Sequence, residues 1–206
     1  SIMGRVRNRG FESGVWFLLA FFLLGPMENI VDPLTPVLAE VEKDAGEGGK
    51  RPLPDFGRDS YTLSLWVRTA GDGSLFAKTA PAGNWVPGGK TIFIEQGRVV
   101  LDIGWVGASK GEQRIDDGQW HNVVLTGPFP QIIYIDGKWD SESSLEPTPD
   151  RTGHVYKLGY TASDFPEQDE RALTGALDEI RLFGRVLRTD ELSLLMDPEA
   201  ASDLPG

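Results

Sequence analysis

The sequence predicts an all-β fold, an antiparallel two-sheet β-sandwich, with an apolar membrane-suited helix ahead of it. Three observations carry the prediction. From Ser60 to about Met196 the chain breaks into short runs whose apolar residues recur at every second position. Turn-forming residues separate those runs, as the 25 Gly and 14 Pro of the 206-residue chain allow. No long helical period interrupts them, so strands stack on strands.

The charge balance and the cysteine count remove several function classes. Lys and Arg number 20 against 31 Asp and Glu, giving a net charge of −11. A surface this acidic repels phosphate backbones, so nucleic acid is not an expected partner. The chain has no cysteine, which excludes disulfides, thiolate nucleophiles and Cys-ligated zinc or iron–sulfur sites.

The first element in chain order is apolar. Val15, Trp16, Phe17, Leu18, Leu19, Phe21, Phe22, Leu23 and Leu24 surround only Ala20. Arg5, Arg7 and Arg9 precede the run, and Glu28 and Asp32 follow it. This charge order predicts a cytoplasmic N-terminus and a periplasmic or extracellular remainder. As a helix, Phe11–Met27 would reach about 25 Å, slightly less than a hydrocarbon core of about 30 Å. The run therefore suits a signal-anchor over residues 1–29, with a cleaved signal peptide and a buried soluble helix as alternatives. Residues 30–59, rich in Pro, Gly and charge, are expected to be a linker, and 197–206 a C-terminal tail.

The sandwich itself, residues 60–196, reads strand by strand. Tyr61, Leu63, Leu65 and Val67 alternate with Thr62, Ser64, Trp66 and Arg68. Leu75–Lys78 follows the turn Gly71-Asp72-Gly73. Thr91–Glu95 and Arg98–Val106 form a hairpin around Gln96-Gly97, a two-residue turn of the kind that needs positive φ. Gln113–Ile115, Trp120–Thr126 and Gln131–Ile135 come next, the last ending at Asp136-Gly137, which suits a type I′ turn. Val155–Tyr160 and Gly175–Phe183 complete the set, with Leu177, Glu179, Arg181 and Phe183 on one face by strict alternation. Thr189 is expected to cap a short helix with Asp190 and Glu191 in its first turn. Trp66 and Trp120 are expected in the core, each N–H on a backbone carbonyl.

Four motifs, in this order, resemble those of the laminin-G-like, concanavalin A-like family. They are Ser64-Leu65-Trp66-Val67-Arg68, Gly118-Gln119-Trp120-His121-Asn122-Val123, Ile133-Tyr134-Ile135-Asp136-Gly137, and Leu177-Asp178-Glu179-Ile180-Arg181 with Leu187 and Glu191. Gly159 sits where that family has a glycine before its variable loop. The resemblance covers about residues 60–196. It implies a concanavalin A-like jelly roll, binding more often than catalysis, and sometimes Ca2+ held at a sandwich rim by aspartates and carbonyls.

Catalytic patterns are not found. Glycosidases sharing this sandwich carry a Glu-x-Asp-x-x-Glu strand, and no such spacing occurs here. Asp178 and Glu179 are adjacent on a strand and point to opposite faces. A His-based triad would have to use His121 or His154, the only two histidines. The stretch Gly83–Thr91 resembles a phosphate loop superficially, but a strand follows where a helix N-terminus is required. No catalytic and no cofactor-binding residue is assigned. Ca2+ is the one cofactor considered, with Asp72, Asp116, Asp117 and Asp164 as ligand candidates and Asp102 and Asp169 beside them at turns.

The long loops carry aromatics suited to contact. Trp85, Trp105, Trp139 and Phe165 could stack on sugars or anchor a protein partner. The expected function is a non-catalytic, membrane-anchored interaction subunit, its sandwich packed on the extracytoplasmic side of an integral-membrane protein complex. The alternative is a glycan-binding, lectin-like module of the cell envelope. A divergent glycoside hydrolase or lyase stands third.

Overall fold

The computed structural model describes residues 54–167 and 172–204, together with a two-residue strand, β1 (Val15–Trp16). Strand β1 lies antiparallel to the last strand, with Val15 opposite Leu182 and Trp16 opposite Arg181. Those two residues are therefore extended rather than helical. The rest of the predicted apolar helix, including Phe17 to Leu24, lies outside the described residues. Among the described residues no helix is long and apolar enough to cross a membrane.

Two antiparallel sheets form the sandwich. One is ordered β1, β11 (Gly175–Phe183), β2 (Tyr61–Thr69), β7 (Trp120–Gly127), β8 (Gln131–Ile135), β9 (Lys138–Ser143). The other is ordered β10 (Val155–Leu158), β3 (Gly73–Thr79), β4 (Lys90–Glu95), β5 (Arg98–Ile103), β6 (Gly107–Arg114). The core lies between them. Leu63, Leu65 and Val67 of β2 meet Ile92 and Ile94 of β4, Leu101 and Ile103 of β5, and Val123 and Leu125 of β7, all buried. Period-two alternation is the cause: each strand turns one face inward and spends its apolar residues there.

The two-residue turns form as expected. Gln96 and Gly97 take φ of 53° and 75°, and Asp136 and Gly137 take 52° and 72°, the positive pair that a type I′ hairpin requires. Asp72 fastens the first turn by accepting the Gln96 and Gly97 N–H groups at 2.7 and 2.8 Å.

Several elements differ from the sequence reading. The stretch Arg98–Val106 is not one strand: it bends at Gly104-Trp105-Val106 and returns as β6. Strand β9 occupies a segment expected to be loop. In β11 the register slips by one residue between Asp178 and Arg181, and Glu179 adopts φ of 49°. That bulge changes which face each side chain takes. Leu177, Ile180 and Leu182 all reach the core, whereas Phe183 goes to the opposite side. Trp66 and Trp120 are not core residues. They share the outer face of their sheet, half-buried, with the Arg68 guanidinium 5.1 Å from the Trp120 ring. The Trp66 N–H is buried without a hydrogen-bond partner rather than on a carbonyl.

That outer face is closed by the C-terminal segment. Helices α1 (Thr189–Leu194) and α2 (Pro198–Ala201) bring Leu192, Leu195, Ala201 and Leu204 against Val124, Phe183 and Leu187. The N-cap of α1 is Arg188, one residue before Thr189, and Glu191 accepts its N–H at 2.8 Å. Residues 197–204 thus belong to the folded unit rather than to a tail. So does Phe56 of the expected linker, which stacks on Tyr61 at 4.0 Å between ring centroids inside the core.

One end of the sandwich encloses charge. Lys78 and Lys90 share strand faces with Phe76 and Ile92 and so point between the sheets. Asp150, in the segment after β9, meets both: Lys90 at 2.6 Å and Lys78 in close contact. Phe56 N–H donates to the same carboxylate at 2.9 Å. Lys78 also donates to Pro54 C=O at 2.7 Å and lies 5.1 and 5.0 Å from the Phe56 and Tyr156 ring centroids. The cluster ties residues 54–56 and 148–150 to the five-stranded sheet.

Candidate functional site

The outer face of the five-stranded sheet is left to the loops. Alternation along β5 sends Leu101 and Ile103 into the core and Val100 and Asp102 outward. Across the ladders, Asp102 faces Thr91 on β4 and Ala108 on β6. Trp85, from the loop between β3 and β4, lies on this face and donates its indole N–H to Asp102 Oδ1 at 3.1 Å. Its ring covers Gly89 so closely that a Cβ there would stand 2.7 Å from it. The neighbouring loop, 161–167, supplies the other side. Phe165 stacks on Trp85 with ring centroids 5.1 Å apart and meets Phe93 edge-on at 5.7 Å. Asp164 accepts the Trp85 backbone N–H at 2.7 Å, and Ser163 reaches Asn84 at 2.9 Å.

Asp102 is half-buried beside these rings. Burial pushes its carboxyl up to about 6, although the Trp85 hydrogen bond pulls the other way. A carboxyl whose folded pKa is raised stabilises the fold most fully below its unfolded pKa. That contribution is lost as pH rises through about 6. Near neutral pH the protein therefore holds this charge at a cost, a common property of functional carboxylates.

The turn at the end of β5 adds the most exposed aromatic of the fold. Trp105 is 72% exposed. It occupies the third position of a turn closed by Val106 N–H on Ile103 C=O at 2.8 Å, with φ of 64°. Positive φ at that position normally calls for glycine. A tryptophan pays roughly 1 kcal/mol or more to adopt it, and here little packing offsets the cost. Gly104 holds the turn beside the Trp85 loop, its N–H on Gly89 C=O at 2.8 Å and its C=O receiving Gly88 N–H at 3.0 Å. Trp85, Phe165 and Asp102 thus form one cluster, and Trp105 stands at the end of β5 in the turn whose Gly104 is bonded to the Trp85 loop.

Trp139 is not part of it. It belongs to the other sheet, opposite Tyr134, and is 57% exposed. Strand β9 passes β6 with Asp140 accepting the Glu112 and Gln113 N–H groups at 3.1 and 2.8 Å. Leu145 lies beside Gly107. The two strands therefore run antiparallel, and Trp139 and Trp105 are separated by roughly 20 Å along them.

The described aspartates considered for Ca2+ each have a protein partner. Asp72 holds the β4–β5 turn, Asp164 the Trp85 N–H, and Asp116 pairs with Arg114 at 2.5 Å. Asp117 accepts Gln119 N–H at 2.8 Å. Among the described residues no group of three acidic or histidine side chains is arranged to hold a metal. Asp169 lies outside the described residues.

Sequence reasoning missed one polar group. His121 sits between Asp136, 2.8 Å from Nδ1, and Asp117, 3.1 Å from Nε2. Burial alone would lower its pKa, but the two carboxylates outweigh burial and raise it. The resulting stability is complete below the ordinary value near 6.5 and is lost as pH rises through the raised value. His121→Gln should flatten that dependence in denaturant melts taken across pH 5–8. An unchanged pH profile would contradict the assignment. The Asp117–His121 spacing of four residues was the available signal, bridged by a turn rather than a helix.

Comparison with known proteins agrees with this fold. No match was found among curated protein sequences. The mouse laminin α1 LG4-5 domains align at 18% identity and TM-score 0.49 over 65% of this chain, which spans 38% of that one. Domain 4 of AbnA, a GH43 extracellular arabinanase of Geobacillus stearothermophilus solved with arabinotriose, aligns at 21% identity and TM-score 0.51. The alignment covers 70% of this chain and 71% of that domain. The CBM40 of a Ruminococcus gnavus IT-sialidase, bound to α2,3-sialyllactose, aligns at 17% identity and TM-score 0.54, covering 68% and 84%. At these identities the likeness is one of fold. The family model of the concanavalin A-like lectin/glucanases superfamily matches residues 45–193, and the chain belongs to that superfamily.

Proposed function

We propose that this protein is a non-catalytic, lectin-like carbohydrate-binding module whose site is the Trp85–Phe165–Asp102–Trp105 platform. The observation that carries the reading is Trp105, an exposed indole held at a glycine-type backbone position where little of the fold repays its strain. Stacking on a sugar face offsets it instead, and Asp102 beneath Trp85 accepts sugar hydroxyls. The AbnA domain and the CBM40, both solved with bound oligosaccharides, support the reading by analogy of fold. An immobilised panel of plant, bacterial and animal glycans tests it. Saturable binding to at least one member, with the sugar recovered uncleaved, is expected; binding to none would refute the proposal, and cleavage would make it an enzyme.

A second reading concerns where the module works. The apolar residues 17–24, which follow the Val15–Trp16 strand paired with β11 and precede Glu28 and Asp32, favour an envelope module held at the membrane by this segment, alone or on an integral-membrane complex. Alkaline carbonate extraction of membranes from expressing cells tests this. The full chain should stay in the pellet, and release into the supernatant would refute the anchor.

A further inference from the structure

We infer that the Trp85–Phe165–Asp102–Trp105 platform takes neutral sugars and discriminates against glycans that carry a carboxylate. The inference rests on the carbohydrate-binding reading above and adds the ligand class to it. Its source is the charge around the rings. Asp102 stands on the platform face with one oxygen on the Trp85 indole, and Asp164 borders the same loop pair. A neutral sugar donates hydroxyl hydrogens to such an oxygen, a charge-assisted bond in a half-buried setting. An anionic sugar offers an acceptor to an acceptor and brings a like charge into a medium that screens poorly.

An anionic ligand would need a cation to offset this, and among the described residues those nearby are committed or distant. Lys110, two residues beyond Ala108 on the same face of β6, has its ammonium on Glu95 at 2.6 Å and Gln96 at 3.1 Å. Lys157 is buried beneath the 161–167 loop and donates to Thr161 C=O at 2.8 Å. Arg98 shares the outer face but stands at the far end of β5, about 13 Å along the strand and beyond a Debye length of about 8 Å. Arg151 approaches the Trp85 loop at Gly88, whereas the Trp85 ring covers Gly89, the next residue along. Among the described residues this one rim cation leaves the carboxylates Asp102 and Asp164 in excess, on a chain whose net charge is −11.

Matched pairs of oligosaccharides test the inference. Lactose against α2,3-sialyllactose and cellotriose against its C6-oxidised form are suitable, alongside neutral arabinotriose. Calorimetry at pH 7.5 and about 0.15 M ionic strength reads the affinities. The neutral member of a binding pair should win by about tenfold or more. In Asp102→Asn, which keeps an oxygen for the Trp85 N–H, the gap should close to about threefold or less. An equal or tighter carboxylated member in the unmodified protein would overturn the inference while leaving carbohydrate binding intact. A gap that persists in Asp102→Asn would also overturn it, by removing Asp102 as the source. Failure of every sugar, in these pairs and on the panel, would instead refute the carbohydrate-binding reading itself.

Discussion

Replacing Asp150 with alanine should cost about 3–5 kcal/mol of folding stability, the usual penalty for stranding buried charge. Lys78 and Lys90 are 8% and 4% exposed, and Asp150 is the carboxylate both share. Without it, two ammonium groups face each other between the sheets, bonded to the Pro54 and Thr148 carbonyls with the Asp55 carboxylate near Lys90. The Phe56 N–H loses its acceptor as well. Residues 54–56 would then lose their hold on the core, and Phe56 with them.

The pH dependence has a definite sign. Burial alone would raise the Asp150 pKa, but the hydrogen bonds from Lys78, Lys90 and Phe56 outweigh it and hold the carboxyl below the usual carboxylate range. Its contribution is therefore complete above the unfolded value near 3.9 and disappears as pH falls through the lower, folded value. Urea melts of Asp150→Ala and of the unmodified protein between pH 3 and 8 measure both effects. A companion variant, Lys78→Met with Lys90→Met and Asp150→Leu, separates stranded charge from lost packing. It should recover most of the loss, because apolar replacement of a whole buried ion cluster is often neutral. A single Asp150→Ala variant within about 1 kcal/mol of the parent would contradict the account.

Trp105→Gly should move stability and binding in opposite directions. Glycine adopts positive φ freely, so the turn at Gly104–Val106 should gain roughly 1 kcal/mol from relieved strain. The indole is 72% exposed, so little packing is lost with it. Binding should fall at least about fivefold, because truncating an aromatic platform costs about 1–3 kcal/mol per stacked ring. The gain in stability shows that the binding loss is not misfolding. A variant that is less stable and still binds would show that Trp105 is held for the fold and not for a ligand.

How much of this was legible in the sequence depended on the range of the interaction. Strands and turns are local, and Leu63, Leu65 and Val67 declared an inward face while Gln96-Gly97 and Asp136-Gly137 declared their hairpins. The bulge at Glu179 was not legible, because the strand there alternates smoothly and only the pairing with β2 shows the slip. Size alone points Trp66 inward, yet its own strand already sends Leu65 and Val67 inward and must send Trp66 out.

The site was only partly legible for the same reason. Trp85, Trp105 and Phe165 were marked as loop aromatics, but nothing local says that Trp85 and Phe165 stack across 80 residues of chain or that Trp139 lies on the other sheet. Asp102 read as one more turn aspartate. Its character comes from the indole above it and from the sheet that buries it.

Ligand binding on the outer face of the five-stranded sheet is tested most directly by one comparison. The tightest-binding oligosaccharide of the panel is titrated calorimetrically into the unmodified protein, Trp105→Gly and Trp139→Ala. At least about a fivefold loss in Trp105→Gly and an unchanged affinity in Trp139→Ala, about 20 Å away, are expected. Loss in Trp139→Ala with binding intact in Trp105→Gly would contradict that placement and move the site to the other sheet.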